Sequence, residues 1–157
     1  MERQFGVAPR DVLAGMSGVE FLQGIIAGRL PAPPMARTLG IIMTEAEEGR
    51  VVFEGAPSED FQNPMGTTHG GWFGGILDSA LGCAVMSRLP AGRIYTTLEY
   101  KVNLIRGIPT GCGMRAIATA AHAGRSSAVA TADLVGIEDG RLYGQGSTTC
   151  LVMSLKT

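Results

Sequence analysis

The sequence has little charge and few of the residues that bind metals or cross-link proteins. Only 17% of its 157 residues are charged and the formal net charge is −1, so the chain lacks the basic surface that nucleic-acid binding requires. Its two histidines, His69 and His122, are far from any acidic cluster, which argues against a metal site. The three cysteines, Cys83, Cys112 and Cys150, are odd in number and widely spaced, which argues against a disulfide framework.

Long apolar runs are also missing. No window approaches the ~18 continuous apolar residues of a membrane span, and the N-terminus has no run typical of a signal peptide. We therefore predict a cytoplasmic protein without a membrane partner. The chain is nevertheless 45% hydrophobic, with 23 glycines and 8 methionines, and we expect other copies of the chain to cover part of its apolar surface.

The N-terminal part of the chain predicts a helix and a connector. Ser17 and Glu20 have the spacing of a capping box before an apolar stripe that ends at Gly28. The three prolines in the stretch 30–36 predict an extended connector. These features divide the chain into an N-terminal segment, 1–37, and a main domain, 38–157.

The main domain predicts an α+β fold. A hairpin begins near Thr38 and turns at Glu48-Gly49, and a helix that is apolar nearly all round then runs from Gly70 to about Arg88, before Pro90. Turn signals divide the rest into four strands. The stretch 116–132 is rich in alanine and could instead be helical, but its threonines and hairpin spacing favour strands. The prediction is a curved antiparallel sheet wrapped around one long buried helix, in the order β-β-α-β-β-β-β.

The strand that follows the helix alternates clearly between two faces. Its apolar face, which we expect to lie against the helix, consists of Ile94, Thr96, Leu98, Tyr100, Val102 and Leu104. Thr96 is polar among these apolar residues, so its hydroxyl is predicted to face the helix and bind a carboxylate or a water molecule. Threonine is also an ordinary strand residue, and this alternative stays open.

The most unusual residue of the predicted helix is Asp78. A buried carboxylate is costly, and no basic residue lies within one turn of Asp78. The alternative is a solvent-facing position at the edge of the helix, although Asp78 has no polar face to share. We interpret it as a residue retained for chemistry.

The start of the same helix is the second candidate for chemistry. His69, Gly70 and Gly71 lie where unpaired N–H groups and the helix dipole favour a negative charge, although a plain loop-to-helix turn is the common use of such glycines. Gly70 and Asp78 are roughly 12 Å apart along the helix axis. Before this point, Asn63 could orient a water molecule or cap a turn before Pro64.

These residues resemble the hotdog-fold thioesterases of the phenylacetic-acid-degradation type. That pattern is an asparagine, a glycine three residues later, the sequence HGG, and an acidic residue nine positions after the histidine. Here the positions are filled by Asn63, Gly66, His69-Gly70-Gly71 and Asp78. The strand TTLEYKVNLIRGIPTG and the later AGRSSAVATADLVGIEDGRL are also similar, so the resemblance covers about 39–152.

The resemblance implies roles for individual residues and an assembly. Gly70 would form the oxyanion hole, Asp78 would act as general base or nucleophile, and Asn63 and Thr96 would hold water or the carboxylate. His69 would support the start of the helix and polarise the thioester carbonyl. The family works as dimers or tetramers (dimers of dimers) with active sites at subunit interfaces, so Gly70 of one chain would face Asp78 of another.

The implied substrate is an acyl- or aryl-coenzyme A, with no further cofactor and no metal. The residues predicted to contact it are Gly66, Gly71, Thr97, Arg106 and Arg125, and Arg88 and Lys101 are further candidates for the phosphates. Each of these cations could equally be an ordinary surface residue. The sequence does not define the preferred acyl group.

Two other functions are compatible with the same fold. A hydratase or dehydratase needs an acid close to the histidine on the same segment, and nothing acidic lies between Asp60 and Asp78. A noncatalytic acyl-CoA-binding module would not need Asp78. A serine hydrolase is disfavoured because the Gly-x-Ser-x-Gly motif is absent.

Overall fold

A six-stranded antiparallel sheet curves around one long helix. The computed structural model describes residues 3–155. The sheet order is β1-β2-β4-β5-β6-β3, and the elements are α1 (Arg10–Gly15), α2 (Gly18–Ile26), α3 (Pro34–Leu39), β1 (Ile41–Glu47), β2 (Arg50–Gly55), α4 (Gly70–Ser87), β3 (Arg93–Leu104), β4 (Met114–Ala123), β5 (Ser127–Gly136) and β6 (Leu142–Ser154). The β-β-α-β-β-β-β order matches the prediction.

Helix α4 forms the centre of the hydrophobic core. It begins after His69 and ends at Ser87, and the apolar side chains on nearly every side of it are buried. Such a helix is stable only when other elements cover it completely. Strands β2, β3, β4, β5 and β6 all pack against it. The predicted buried helix is therefore confirmed.

The alanine-rich stretch 116–132 forms two strands and not a helix. Strands β4 and β5 pair in antiparallel register, and their alternate alanines are nearly inaccessible to solvent: Ala116, Ala118, Ala120, Ala128, Ala130 and Ala132. Small side chains at these positions let the sheet lie close to α4. Burial on one face of a pleated sheet thus outweighs the intrinsic helix preference of alanine.

The N-terminal segment follows the predicted pattern with two differences. Helix α2 has the capping box between Ser17 and Glu20. The connector is shorter than predicted, because Pro34 takes the first position of α3, where a proline costs no hydrogen bond. The first strand begins at Ile41 and not near Thr38, and α1 was not predicted.

The N-terminal helices share one core with the sheet. Leu22 and Ile25 of α2 belong to the same cluster of buried side chains as α4. The Gly18 N–H donates to the carbonyl of Leu89, just after α4. The division of the chain at residue 38 stays a prediction.

Strand β3 forms one edge of the sheet, and a bulge reverses its alternation. Its register with β6 shifts between Thr97 and Glu99, so Leu98 is an extra residue. Leu98 is 61% exposed and Thr96 is also exposed. The prediction that Thr96 and Leu98 face the helix is therefore wrong.

The side of β3 that faces the helix changes at this bulge. Before it, Tyr95 and Thr97 approach α4. After it, Tyr100 and Leu104 approach the helix, as predicted. The error arises because strict alternation holds only in a strand without an inserted residue.

Candidate active site

The loop before α4 is organised by Asn63. Its Oδ1 accepts hydrogen bonds from the N–H groups of Met65 and Thr67, and its Nδ2 donates to the Thr67 hydroxyl at 2.8 Å. Gly66 has a φ of +77°, the left-handed conformation that glycine adopts most easily. Thr68 is buried and donates to the Ile108 carbonyl at 2.6 Å. These contacts fix the direction in which the chain enters α4.

His69 is the N-cap of α4. Its Nδ1 accepts a hydrogen bond from the Gly71 N–H at 2.8 Å, and its carbonyl accepts one from the Trp72 N–H. A Cβ at residue 71 would lie only 2.9 Å from Nδ1, so glycine permits this cap. His69 thereby holds the first helical turn in place.

The Gly70 N–H comes directly before these two satisfied donors. Within residues 3–155 no acceptor is found for it. It lies in the first turn of a helix of 18 residues, where the helix dipole adds positive potential. This donor is available to a negatively charged or strongly polarised oxygen.

Asp78 lies on the face of α4 that meets β3. Three glycines share this face, spaced so that they and Asp78 recur every four residues, and together they form the glycine stripe: Gly70, Gly74 and Gly82. A Cβ at Gly74 would lie 3.1 Å from the Tyr100 hydroxyl, and one at Gly82 would lie 2.2 Å from the Tyr95 hydroxyl. The stripe lets β3 lie against the helix and leaves Asp78 as the side chain at the centre of this contact.

Asp78 is half-buried and hydrogen-bonded to Thr97. The Thr97 hydroxyl donates to Oδ1 at 3.3 Å. Burial raises the pKa of Asp78 above its usual range, and the bond from Thr97 opposes this effect. Asp78 forms no salt bridge within the described residues. It is therefore a desolvated carboxylate without a neighbouring cation.

The groups around Asp78 remain neutral. Burial, reinforced by the charge of Asp78, raises the pKa of Cys83 to about 12 and that of Tyr95 well above its usual value. Burial also raises the pKa of Cys150, whose backbone pairs with Thr97. Asp78 is therefore the member of this group that ionises at the lowest pH, while the thiols and the phenol around it stay protonated.

The structure leaves Gly70 and Asp78 two turns apart on one helix. They are separated by eight residues of continuous α4, which corresponds to roughly 12 Å along the axis. A single atom of a substrate cannot contact both groups of one chain. The two groups are therefore halves that one chain does not bring together.

The predicted cations lie at different ends of β3. Arg106 follows β3 near the start of α4, where its N–H donates to the Tyr143 carbonyl. Arg125 lies in the turn between β4 and β5, and its carbonyl accepts a bond from Arg93 at the opposite end of β3. Arg88 donates to the Ala120 carbonyl. Lys101 is exposed on β3.

Sequence reasoning missed the importance of Tyr95 and the glycine stripe. Thr97, which was predicted to contact substrate, is the hydroxyl that binds Asp78. The signal was present as glycines four residues apart on each side of Asp78, which is the spacing of one helix face.

The part of the chain that the structure describes contains neither a metal-binding cluster nor a membrane-spanning helix. No group of three or more His, Cys, Asp or Glu side chains within 3–155 is arranged to hold a metal ion. In the same part of the chain, no helix combines the length and hydropathy needed to cross a membrane.

Comparison with known proteins identifies the class of protein. The family model of the thioesterase superfamily matches residues 65–142, which include the start of α4 and Asp78. No curated protein sequence matches the chain. The family match therefore covers the segment that contains both halves of the site.

Solved structures match over most of the chain. A phenylacetic acid degradation-related protein of Ralstonia eutropha JMP134 is 26% identical over 83% of this chain and 98% of its own, with a TM-score of 0.76. A thioesterase family protein of Silicibacter pomeroyi is 26% identical over 87% and 98%, with a TM-score of 0.75. A hypothetical thioesterase of Streptococcus pneumoniae TIGR4, solved with coenzyme A, is 22% identical over 74% and 88%, with a TM-score of 0.67.

These matches confirm the predicted hotdog architecture. The sheet and the long central helix of this chain align with 98% of the length of each of the first two structures. The chain belongs to the thioesterase superfamily and is a thioester hydrolase. Within that superfamily it resembles the phenylacetic-acid-degradation type.

Proposed function

We propose that the protein hydrolyses acyl- or aryl-coenzyme A to the free acid and coenzyme A, at sites shared by two copies of the chain. The observation on which this rests is Asp78, a half-buried carboxylate with no salt bridge among residues 3–155, on the same helix that offers the Gly70 N–H. The pneumococcal relative solved with coenzyme A supports the thiol part of the substrate.

In this proposal Gly70 supplies the oxyanion hole. The thioester carbonyl oxygen accepts a hydrogen bond from the Gly70 N–H, and its developing charge is stabilised by the dipole of α4. His69 holds the first turn in place and polarises the carbonyl, while Gly66 and Gly71 let the substrate approach closely. Asn63, both of whose side-chain ends bind within the loop, acts by keeping this geometry and positioning water.

Asp78 of the other copy then supplies the base. As general base it takes a proton from water while the water oxygen bonds to the carbonyl carbon, after which the C–S bond breaks and the thiolate leaves with a proton. As nucleophile its carboxylate oxygen would bond to the carbonyl carbon while the C–S bond breaks and the coenzyme A thiolate leaves, and water would then hydrolyse the resulting anhydride to the free acid and the Asp78 carboxylate. Its raised pKa suits proton transfer near neutral pH, and the bond from Thr97 orients the carboxylate. Thr96 is assigned no contact with the Asp78 of its own chain.

Strand β3 gives the geometry of the shared site. It is an edge strand whose N–H and C=O groups can pair with a second copy, and Leu98, Tyr100 and Leu104 are exposed along it. Gly70 lies beside Leu104, and Asp78 lies beside Thr97. Antiparallel pairing of two β3 strands about an axis near Tyr100 would place each Gly70 opposite the Asp78 of the other copy.

The same pairing would bring cationic side chains of the two copies close to one site. Arg125 lies near the start of β3 and Arg106 near its end. An antiparallel pair brings the start of one β3 beside the end of the other, so Arg106 of one copy and Arg125 of the other flank one site. We propose that they bind the phosphates. The proposal also includes a homodimer or homotetramer, no cofactor beyond the substrate, and a cytoplasmic location.

Matched variants at residues 70 and 78 test the mechanism. Asp78→Asn removes the base and should lower kcat on the order of 10²-fold or more. Gly70→Pro removes the N–H at a position that accepts proline, because it is the first helical residue and His69 already has the extended backbone that precedes proline. Its ring would also contact Leu104, as the Cβ of an alanine would. This variant should lower kcat by roughly 10²- to 10³-fold. Gly70→Ala, which keeps the N–H, should lose far less.

Mixing the two inactive variants tests whether the site is shared. A dimer of one Asp78→Asn chain and one Gly70→Pro chain contains one intact site if each site uses two copies. Random reassembly should then restore about a quarter of the wild-type activity. No recovery in mixtures that light scattering shows to be reassembled would overturn the shared site. Full activity of Asp78→Asn would overturn the proposed function.

The hydratase alternative is separated by the product. Hydrolysis releases a free thiol that a thiol reagent detects, whereas hydration of an enoyl-CoA leaves the thioester intact. A screen over acetyl-, octanoyl- and phenylacetyl-CoA therefore tests hydrolysis directly, and the absence of thiol release from every substrate would contradict it.

A further inference from the structure

A second feature of the molecule is an apolar cavity of about 430 Å³ beneath the N-terminal segment. It lies where the two edge strands, β1 and β3, approach the same end of α4 and leave the core uncovered. The N-terminal segment closes this gap with residues of its three helices, including Leu13 of α1, Phe21 of α2 and Ala36 of α3. The volume lies within the range of small-molecule pockets.

The cavity lies farther along α4 than the proposed base, which does not itself line it. Cys83 lines it and follows Asp78 by five residues, which is about 7.5 Å along α4. Tyr95 also lines the cavity. It lies on the side of β3 that faces α4, two residues before Thr97, which binds Asp78. A chain that starts at a carbonyl beside Asp78 would therefore enter the cavity past the Tyr95 ring, which packs on Gly82, and the Tyr95 side chain must turn aside to admit it.

The walls define what the cavity accepts. Of the described residues that line it, Arg3 is the single charged one. The others are aliphatic or aromatic side chains, prolines, alanines, a glycine, a cysteine and Tyr95. Such a surface favours an uncharged, apolar group, because a polar group would lose its bonds to water there without replacing them.

We propose that this cavity binds the acyl chain of the substrate, and that the N-terminal segment is the wall that sets acyl-chain preference. The substrate class is then coenzyme A thioesters of apolar acyl groups longer than acetyl, such as octanoyl and decanoyl. This inference rests on the proposed function. It adds two points to that function. The acyl group lies in the copy that supplies Asp78, and the segment before β1 shapes the acyl site.

Variants that fill the cavity test the inference. Ala36 is buried in α3 and Ala8 is half-buried in the N-terminal stretch, and both line the cavity. Replacing either by leucine occupies the space of two to three methylenes. Each excluded methylene should cost roughly fourfold in kcat/KM. Ala36→Leu and Ala8→Leu should therefore lower kcat/KM for decanoyl-CoA by roughly 15- to 60-fold while changing that for acetyl-CoA less than twofold.

The matched control is Ala27→Leu. Ala27 belongs to the same segment but is exposed and does not line the cavity, so its chain-length profile should equal that of the wild type. Thermal unfolding shows whether each variant is folded. If Ala36→Leu does not fold, Ala8→Leu alone tests the cavity. Isothermal titration of Asp78→Asn with a non-hydrolysable decanoyl-CoA thioether, with and without Ala8→Leu, should show the same loss in affinity.

The outcomes separate the two proposals. Equal loss for acetyl- and decanoyl-CoA, or an unchanged profile in both filled variants, would overturn the assignment of the cavity even though hydrolysis is observed. No thiol release by the wild type from any acyl-CoA would instead reject the proposed function. A selective loss with decanoyl-CoA in the filled variants, together with an unchanged Ala27→Leu, would establish the acyl site.

Discussion

Gly82 should be intolerant of even one added carbon, although alanine is the better helix former. It lies within α4, and a Cβ there would be 2.2 Å from the Tyr95 hydroxyl and 2.8 Å from two ring carbons. Real Cβ atoms do not approach other atoms so closely, so the Tyr95 ring or the helix must move. Gly82→Ala is therefore a direct test of the contact between α4 and β3.

The expected magnitude follows from two opposing contributions. Replacing a glycine by alanine within a helix stabilises it by roughly 1 kcal/mol. Overpacking a close contact costs about 1–3 kcal/mol, and the short distances at Gly82 place it at the upper end. The net loss in the free energy of unfolding should be about 1–2 kcal/mol, which lowers the Tm of a chain of this length by roughly 3–6 °C.

Calorimetry on three variants measures this effect. Gly15→Ala in α1 is the control, because a Cβ there meets nothing within 4 Å and the variant should not lose stability. Adding Tyr95→Phe to Gly82→Ala removes the closest contact and should recover part of the lost Tm. A Gly82→Ala protein at least as stable as the wild type would refute the close packing of β3 on the glycine stripe.

Two further predictions concern Asp78. Thr97→Val removes the hydrogen bond that lowers the pKa of Asp78, so the acidic limb of the kcat/KM profile should move to higher pH; an unchanged limb would show that this bond does not act on the catalytic group. Asp78→Asn should raise the Tm at neutral pH, because a carboxyl whose folded pKa is raised destabilises the fold once ionised. The Tm difference between the variant and the wild type should be absent below the pKa of Asp78 in both states. It should grow as the pH rises from the pKa in the unfolded chain through the higher pKa in the folded protein. A Tm gain that persists in acid would show that ionisation of Asp78 is not its cause.

Much of the fold followed from the sequence because its main signals are local. The apolar circumference of α4, the proline after it and the turn residues between the later strands each specify an element without reference to the others. The Ser17–Glu20 capping box is of the same kind. Pro34 was predicted to lie in an extended connector, whereas it is the first residue of α3. Proline is excluded from a helix interior but favoured at a helix start, and the sequence alone does not distinguish these two cases.

The site was predictable to a smaller extent because its geometry depends on a bulge. Asp78 and Gly70 stand out by their type and position in the helix. The partner of Asp78 does not, because Leu98 shifts the alternation of β3 by one and brings Thr97, not Thr96, to the carboxylate. A bulge is specified by the pairing of β3 with β6 and with the helix surface, which no single stretch of sequence contains.

The glycine stripe explains why Asp78 can lie half-buried at the contact between α4 and β3. Side chains larger than hydrogen at Gly74 and Gly82 would hold β3 away from the helix, and water would reach the carboxylate freely. With glycine there, Tyr95 and Tyr100 cover the helix on either side of Asp78, so the carboxylate is partly desolvated while Thr97 satisfies one of its oxygens. The same packing that makes Asp78 costly for stability therefore makes it a stronger base, and both effects should disappear together when β3 is displaced.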